Sequence, residues 1–321
     1  MEYAIVAEDL TRTYKSFVPG SPVKAAVDGI SLAVRRGEIY GILGPNGAGK
    51  TTTIKMLSTL LTPTSGLAEV LGLNVYDKKN IRTLRKRINV VSGGERGLYY
   101  RLSGRQNLEF FAELYGIPKK EQKTRIDELL SLVELTEAAD IKVENYSRGM
   151  KQRIHIARSL INSPEILFLD EPTIGLDPEI SQGIRSLIKK LSDGGTTIIL
   201  TTHYMFEAEE LCDNMIILSH GTIVGKGTVE DIKSTISGVS SMRIVTEKDP
   251  SDAAAVMICQ KKLDVSTSRL LNEKYLTKII MNNAEEEFAV IEESFRPYKI
   301  ISIGVEEPTL EDAYLTLVSE G

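Results

Sequence analysis

IYGILGPNGAGKTTTIKML, Ile39 to Leu57, is the stretch on which the reading of the fold turns. It starts as an apolar run, passes through a Gly-rich turn and continues in a helical pattern. Within it GPNGAGKT, Gly44 to Thr51, fits the spacing G-x-x-x-x-G-K-[ST]. Glycines let backbone N–H groups turn inward around phosphate oxygens, and the helix that follows offers its positive end to the same anion. The pattern assigns Gly44, Pro45, Asn46, Gly47, Ala48, Gly49 and Thr52 to a phosphate cradle. Lys50 is expected to reach the β- and γ-phosphates, and the Thr51 hydroxyl to ligate Mg²⁺.

Three later stretches place this loop in a sheet. EILFLDEPT (165–173) and TTIILTTHY (196–204) read as apolar strands with polar ends, and MIILSHGTIVGKG (215–227) as a late hairpin. Strands alternating with helical segments predict an α/β domain with a mixed, mainly parallel sheet and its functional loops at the strands' C-terminal ends. From about Gly104 to Ser163 the pattern is helical only. NLEFFAELYG and RIDELLSLVEL carry apolar residues at three- and four-residue spacing. A helical subdomain, about 94–163, is therefore expected inside a first domain spanning 1–236. STISGVSS then marks a change, and 237–321 alternates short strands with helices, as a small α+β domain does.

Bulk composition narrows the function classes. Hydrophobic residues make up 42% and charged residues 26%, an ordinary globular balance, and the formal net charge is −5. Mild acidity without a basic domain argues against nucleic acid as a partner. No apolar run approaches the ~18 residues of a membrane span, and MEYAIVAEDL lacks the basic-then-apolar pattern of a secretory leader. The chain is thus expected to be cytoplasmic, with any role at a membrane supplied through a partner. Cys212 and Cys259 have no metal or redox spacing and read as reduced structural thiols.

A phosphate loop alone does not separate GTPases, kinases and ATPases. In EILFLDEP, four apolar residues bury a strand whose end delivers Asp170 and Glu171 to the phosphate site. Asp170 is placed to hold Mg²⁺, directly or through water, and Glu171 to polarise an attacking water. The guanine-reading NKxD is missing from the sequence, which counts against a GTPase.

With these residues the chain resembles the ATP-binding subunits of ABC transporters, over about Glu2 to Gly227. GPNGAGKT resembles the family's Walker A and ILFLDE its Walker B; Gly175-Leu176-Asp177 is similar to its D-loop. The resemblance makes His203, in TTHY, the sensor of the γ-phosphate, and Tyr14, in RTYKSF, the aromatic that stacks on adenine.

Two stretches compete for the family's signature loop, usually LSGGQ, which precedes a helix about twenty residues before Walker B. VSGGE (91–95) has the better letters but lies about seventy-five residues before Asp170. YSRGM (146–150) has the poorer letters, yet it is at the right distance and runs into KQRIHIARSLI. That segment carries Ile154, Ala157, Leu160 and Ile161 on one apolar helical face. Position and helix select YSRGM. A hydroxyl and a glycine at a helix N-terminus suit an anion, and the resemblance implies that Ser147 and Gly149 act on the ATP of a second copy and that Asp177 contacts nucleotide. Arg148 and Met150 stand where the family carries Gly and Gln. VSGGE instead occupies the place of the family's Q-loop glutamine; either Glu95 or a backbone group substitutes there, or the contact is lost.

EEPTLEDAYL repeats the letters EPT near the C-terminus without an apolar strand ending in Asp. It resembles the closing helix of the small C-terminal domain in ATPases of type-2 ABC exporters. The sequence therefore reads as an ATPase that powers export through a separate membrane permease, as a homodimer or paired with a related subunit, peripheral on the cytoplasmic face. The alternatives are a soluble regulatory ABC-type ATPase, a P-loop kinase and an importer.

Overall fold

The computed structural model describes residues 2–14, 24–92, 97–236, 240–257, 264–270, 273–281, 284–306 and 309–320. They divide into two compact units, Met1–Val229 and Glu230–Glu320. The division falls after the first residue of the short helix Val229–Ser234, upstream of the composition change at STISGVSS.

In the first unit, strands β1 (Tyr3–Tyr14) and β2 (Lys24–Arg35) precede β3 (Ile39–Leu43), the Gly-rich turn and helix α1 (Lys50–Leu57). β4 (Ser65–Val70), β5 (Leu73–Asn74), α2 (Lys78–Arg87) and β6 (Ile88–Ser92) follow. Helices α3 (Gly104–Tyr115), α4 (Lys119–Leu132) and α5 (Arg148–Ser159) form the insert. The chain then returns through β7 (Ile166–Asp170), α6 (Pro178–Asp193), β8 (Thr197–Thr202), α7 (Met205–Leu211) and the hairpin β9 (Asn214–Ser219) and β10 (Thr222–Gly227); α8 (Val229–Ser234) follows, all but its first residue in the second unit.

Six strands form the central sheet in the order β10-β9-β3-β8-β7-β6; all neighbours are parallel except the β9–β10 hairpin. Every residue of β3, β7 and β8 is buried. Burial on both faces is why these strands are near-continuous runs dominated by Ile, Leu and Thr and not alternating ones. Register brings their ends together: Leu43 lies opposite Thr202, and Asp170 opposite Thr201. The phosphate loop, the acidic pair and the TTHY segment thus meet at one edge.

A second sheet, β2-β1-β4-β5, is wholly antiparallel and was not expected from the sequence. Its strand β1 loses register between Ala7 and Leu10 and again before Arg12, with Asp9 at φ 49°. Such bulges break the two-residue alternation that marks a strand in sequence. Ile5, Leu10, Val27, Ile30 and Val70 share one core with Ile42, Leu57 and Phe168 of the central sheet and α1.

Two of the insert helices, α3 and α5, show local causes. Ser103 and Gln106 make a reciprocal capping box at the start of α3, and Gly116 ends it in the left-handed conformation at φ 73°. Buried Asn107 ties the preceding loop to the helix, its Nδ2 donating to the Tyr99 and Ser103 carbonyls at 3.0 and 2.9 Å. In α5 Ile154 and Ala157 are buried, as are Leu160 and Ile161 just beyond it.

The second unit holds β11 (Ser240–Thr246), α9 (Ser251–Val256), β12 (Asp264–Arg269), β13 (Tyr275–Met281), α10 (Ala284–Phe295), β14 (Ile300–Glu306) and α11 (Leu310–Glu320). Its antiparallel sheet, β12-β13-β11-β14, packs Met242, Ile244 and Ile279 against Ile291 and Phe295 of α10. Of the EPT repeat, Glu307 and Pro308 lie outside the described residues, and Thr309 stands at a helix start: Asp312 accepts from the Thr309 backbone N–H at 2.9 Å and its hydroxyl at 2.7 Å.

Candidate nucleotide site

The loop between β3 and α1 folds as it does because two glycines occupy positions closed to any side chain. Gly49 has φ 110°, and a Cβ there would stand 2.5 Å from the Ala26 carbonyl oxygen. A Cβ on Gly44 would meet the Leu218 carbonyl oxygen at 2.4 Å. The loop leads into the N-terminus of α1, whose first turn carries no acidic residue. The helix therefore presents an uncompensated positive end.

A cleft of about 370 Å³ opens over this end. Pro45, Asn46, Gly47, Gly49, Lys50, Thr51 and Thr52 line it together with Ala26, Asp170, Glu171 and Ile174. Ala48 is buried behind the loop, held by Gly221, whose N–H donates to its carbonyl at 3.1 Å. The expected cradle, apart from Gly44 and Ala48, thus lines one cleft, with the Asp170 and Glu171 carboxylates on its wall.

Lys50 is 5% exposed, and its Nζ donates to the Gly44 and Pro45 carbonyls at 2.7 and 3.2 Å. The same ammonium stands 3.4 Å from Glu171 Oε1. Glu171 Oε1 also lies 3.4 Å from His203 Nδ1, so one carboxylate oxygen is held between two basic groups. The backbone of Glu171 is left-handed, φ 51°. Such a conformation costs of order 1–3 kcal/mol in a non-glycine residue and persists only where the surroundings impose it. Here the imposition comes from Thr201, whose carbonyl and hydroxyl oxygens both accept from the Glu171 N–H, at 3.1 and 3.0 Å.

Asp170 is buried and fully hydrogen-bonded. Thr51 Oγ1 donates to its carboxylate at 2.9 Å, and Thr201 Oγ1 to Oδ1 at 2.6 Å. A hydroxyl and a carboxylate in contact, both hard oxygen donors, fit Mg²⁺, which is usually held by one or two protein groups and completed by substrate phosphates and water.

Other expected site residues lie elsewhere. Ser147 caps α5, accepting from the Met150 N–H at 3.2 Å, and is exposed. Asp177 caps α6, also exposed, with no side-chain bond to that helix. Gly149 is buried against α6, where a Cβ would be 2.6 Å from Ile180 Cγ2. None of the three lines the chain's own phosphate cleft. Tyr14 does not line it either; its ring is 44% exposed, with the Arg12 guanidinium 4.8 Å from the ring centroid. Glu95 and Cys259 lie outside the described residues.

Sequence reasoning missed two groups. Thr201 bridges Asp170 and Glu171, as above. Glu207, 2% exposed on α7, accepts from Thr173 Oγ1 at 2.9 Å and so ties the segment after His203 to the segment after Glu171. Burial raises its carboxyl pKa, against the opposing pull of Thr202, Thr173 and Arg185. The one signal available beforehand was a Glu on the apolar face of a short helix.

This fold and cleft define a P-loop nucleotide-hydrolysing cassette. The sequence model of the ABC transporter family matches residues 27–174. The daunorubicin resistance ATP-binding protein DrrA3 of Streptomyces coeruleorubidus is 36% identical over 298 residues, covering 92% of each chain. The linearmycin resistance ATP-binding protein LnrL of Bacillus subtilis is 36% identical over 304 residues, 92% of this chain and 94% of that one. Among solved structures, a dimeric ATP-binding cassette in a post-hydrolysis state with ADP and Pi superposes with a TM-score of 0.63. It is 28% identical, covering 70% of this chain and 98% of the other. The chain belongs to the ATP-binding proteins of the ABC transporter family, and it is an ATPase of that family. ATPase subunits of the family's exporters dimerise and pair with membrane permeases.

Proposed function

We propose that the chain is the ATPase subunit of a two-component exporter, that it works as a homodimer or with a related subunit on the cytoplasmic face of the membrane, and that the separate permease carries a drug-like compound. The observation that carries this reading is the extent of the likeness to the resistance proteins. Their 298 and 304 aligned residues exceed the cassette, which ends at Val229, so the likeness runs on into the second unit. Among the described residues no helix is long and apolar enough to cross a membrane, so transport by this chain calls for a partner.

In this reading the loop N–H groups and the N-terminus of α1 bind the phosphates of ATP, with Tyr14 stacking on adenine. Lys50 exchanges its carbonyl contacts for β- and γ-oxygens. Thr51 and Asp170 hold Mg²⁺, which when bound neutralises charge developing on the transferred phosphoryl group. Removing Lys50 from Glu171 leaves that carboxylate free to accept a proton from water as the water oxygen attacks the γ-phosphorus and the bond to ADP breaks. His203, in contact with Glu171, steadies the same group and reads the γ-phosphate. Exposed Ser147 and Asp177, at helix starts outside their own cleft, support action on the nucleotide of a second copy.

Gentle solubilisation of membranes from cells carrying a tagged chain tests the reading. Recovery of a polytopic membrane protein in near-equal amount is expected. A chain recovered alone from the cytosol, with ATPase activity intact, would overturn the transport role.

A further inference from the structure

Helix α2 carries a charge pattern that ATP hydrolysis does not use. Its sequence, KKNIRTLRKR, has six basic residues and no acidic one, in a chain whose formal net charge is −5. Arg87 is paired with Glu165, at 3.0 Å from Nη2. The other five, Lys78, Lys79, Arg82, Arg85 and Lys86, are exposed. At 3.6 residues per turn they fall within an arc of roughly 120°, opposite the buried Leu84. Arg85 donates to Thr59, at 3.0 Å to its carbonyl. None of the five side-chain cations lies within 4.0 Å of a described carboxylate.

The arrangement works against the helix. Lys78/Arg82 and Arg82/Lys86 are like charges one turn apart, which repel. Lys78 and Lys79 also sit at the positive end of the helix dipole, which Asp77 caps by accepting from the Lys79 N–H at 2.9 Å. Beside this face, a groove of about 400 Å³ runs between α2 and the end of α3. Its apolar part is Ile81, Leu114 and Tyr115, and Leu114 is 67% exposed. Cations interleaved with exposed aliphatic groups match the boundary between phosphate headgroups and acyl chains. A nucleic acid fits less well. The basic face is one helix about 15 Å long, and a longer polyanion would meet the net negative charge of the rest of the chain.

We propose that the exposed face of α2, with Leu114 beside it, is a contact surface for the anionic phospholipid headgroups of the membrane. It would hold the ATPase at the bilayer independently of its protein partner. Each basic residue near an anionic surface strengthens association about fivefold, so three neutralised residues should weaken it on the order of a hundredfold.

The test is co-sedimentation of the full chain with phosphatidylcholine vesicles, with and without phosphatidylglycerol, and with no permease present. The result therefore bears on the lipid contact alone and leaves the exporter reading to its own test. The wild-type chain should bind only the vesicles carrying phosphatidylglycerol, and less as salt rises. The variant K78Q/R82Q/K86Q should lose about a hundredfold in that binding while its ATPase rate and melting temperature stay at wild-type values. L114D, which alters one exposed tip on α3, should weaken binding too. Equal binding to both vesicle types, undiminished binding by the triple variant, or retention on duplex DNA in place of vesicles would each overturn the proposal.

Discussion

The Thr201 hydroxyl donates to Asp170 Oδ1 over 2.6 Å, joining the ends of two neighbouring parallel strands. The same oxygen accepts from the Glu171 N–H at 3.0 Å. One buried hydroxyl therefore orients the carboxylate proposed to hold Mg²⁺ and holds the next residue in its left-handed conformation. Thr201→Val keeps the shape and removes both bonds. Hydrogen-bond partners of a ligating carboxylate are typically worth 10–100-fold in metal affinity or activity, and kcat or Mg²⁺ affinity should fall by about that much. Thr201→Ser should restore most of it. A Val variant with wild-type kcat and Mg²⁺ dependence would remove Thr201 from this role.

Glu171 has the geometry of a base kept in check, one oxygen 3.4 Å from both Lys50 Nζ and His203 Nδ1. Positioned general bases are worth roughly 10²–10⁴-fold. Glu171→Gln is isosteric, and its turnover should drop within that range while ATP affinity is kept. Rapid mixing, separating binding from phosphate release, reads the two independently. Loss of affinity with unchanged single-turnover hydrolysis would reassign Glu171 to substrate binding.

Much of this site was legible because its chemistry is local in sequence. GPNGAGKT needs Gly44 and Gly49 where a Cβ has no room, and ILFLD is a five-residue run buried on both faces. The choice of YSRGM over VSGGE rested on the distance of Ser147 from Asp170 and on an apolar helical face, and the structure has Ser147 at the start of a helix with that face buried. Thr201 was not legible, since in TTIILTTHY a threonine is first a β-former. Only the register that sets it opposite Asp170 shows where its hydroxyl goes. The antiparallel sheet was hidden by its bulges, and β12 by its letters: DVSTSR has one large apolar residue and so no alternation to detect.

Gly149 separates a structural role from a functional one. A Cβ there would meet Ile180 Cγ2 at 2.6 Å and Cδ1 at 3.1 Å, forcing α5 away from α6. Overpacking of this kind costs about 1–3 kcal/mol, and Gly149→Ala should lower stability by that amount. Ile180→Ala removes both colliding atoms, so the double variant should be more stable than the sum of the two singles predicts. If denaturant titrations show simple additivity, the contact between the helices does not explain the glycine.

His155, 3% exposed on α5, gives the pH dependence a sign. Burial, reinforced by the Arg158 guanidinium, lowers its pKa from 6.5 to about 3, so the folded protein keeps it neutral where the unfolded chain protonates it. Between those values the unfolded state binds one more proton, and stability must rise with pH. The contribution is complete above pH 6.5, shrinks as the pH falls and levels off below about 3. At about 1.36 kcal/mol per unit, roughly 2 kcal/mol is lost by pH 5 from this group alone. Raised carboxyls such as that of Glu207 act in the opposite direction, so the measurement is a comparison of variants. Urea titrations at pH 7 and pH 5 should show a smaller acid loss in His155→Gln than in the wild type. An identical loss in both proteins would mean that the imidazole is hydrated, or free to leave its site, before the protein unfolds.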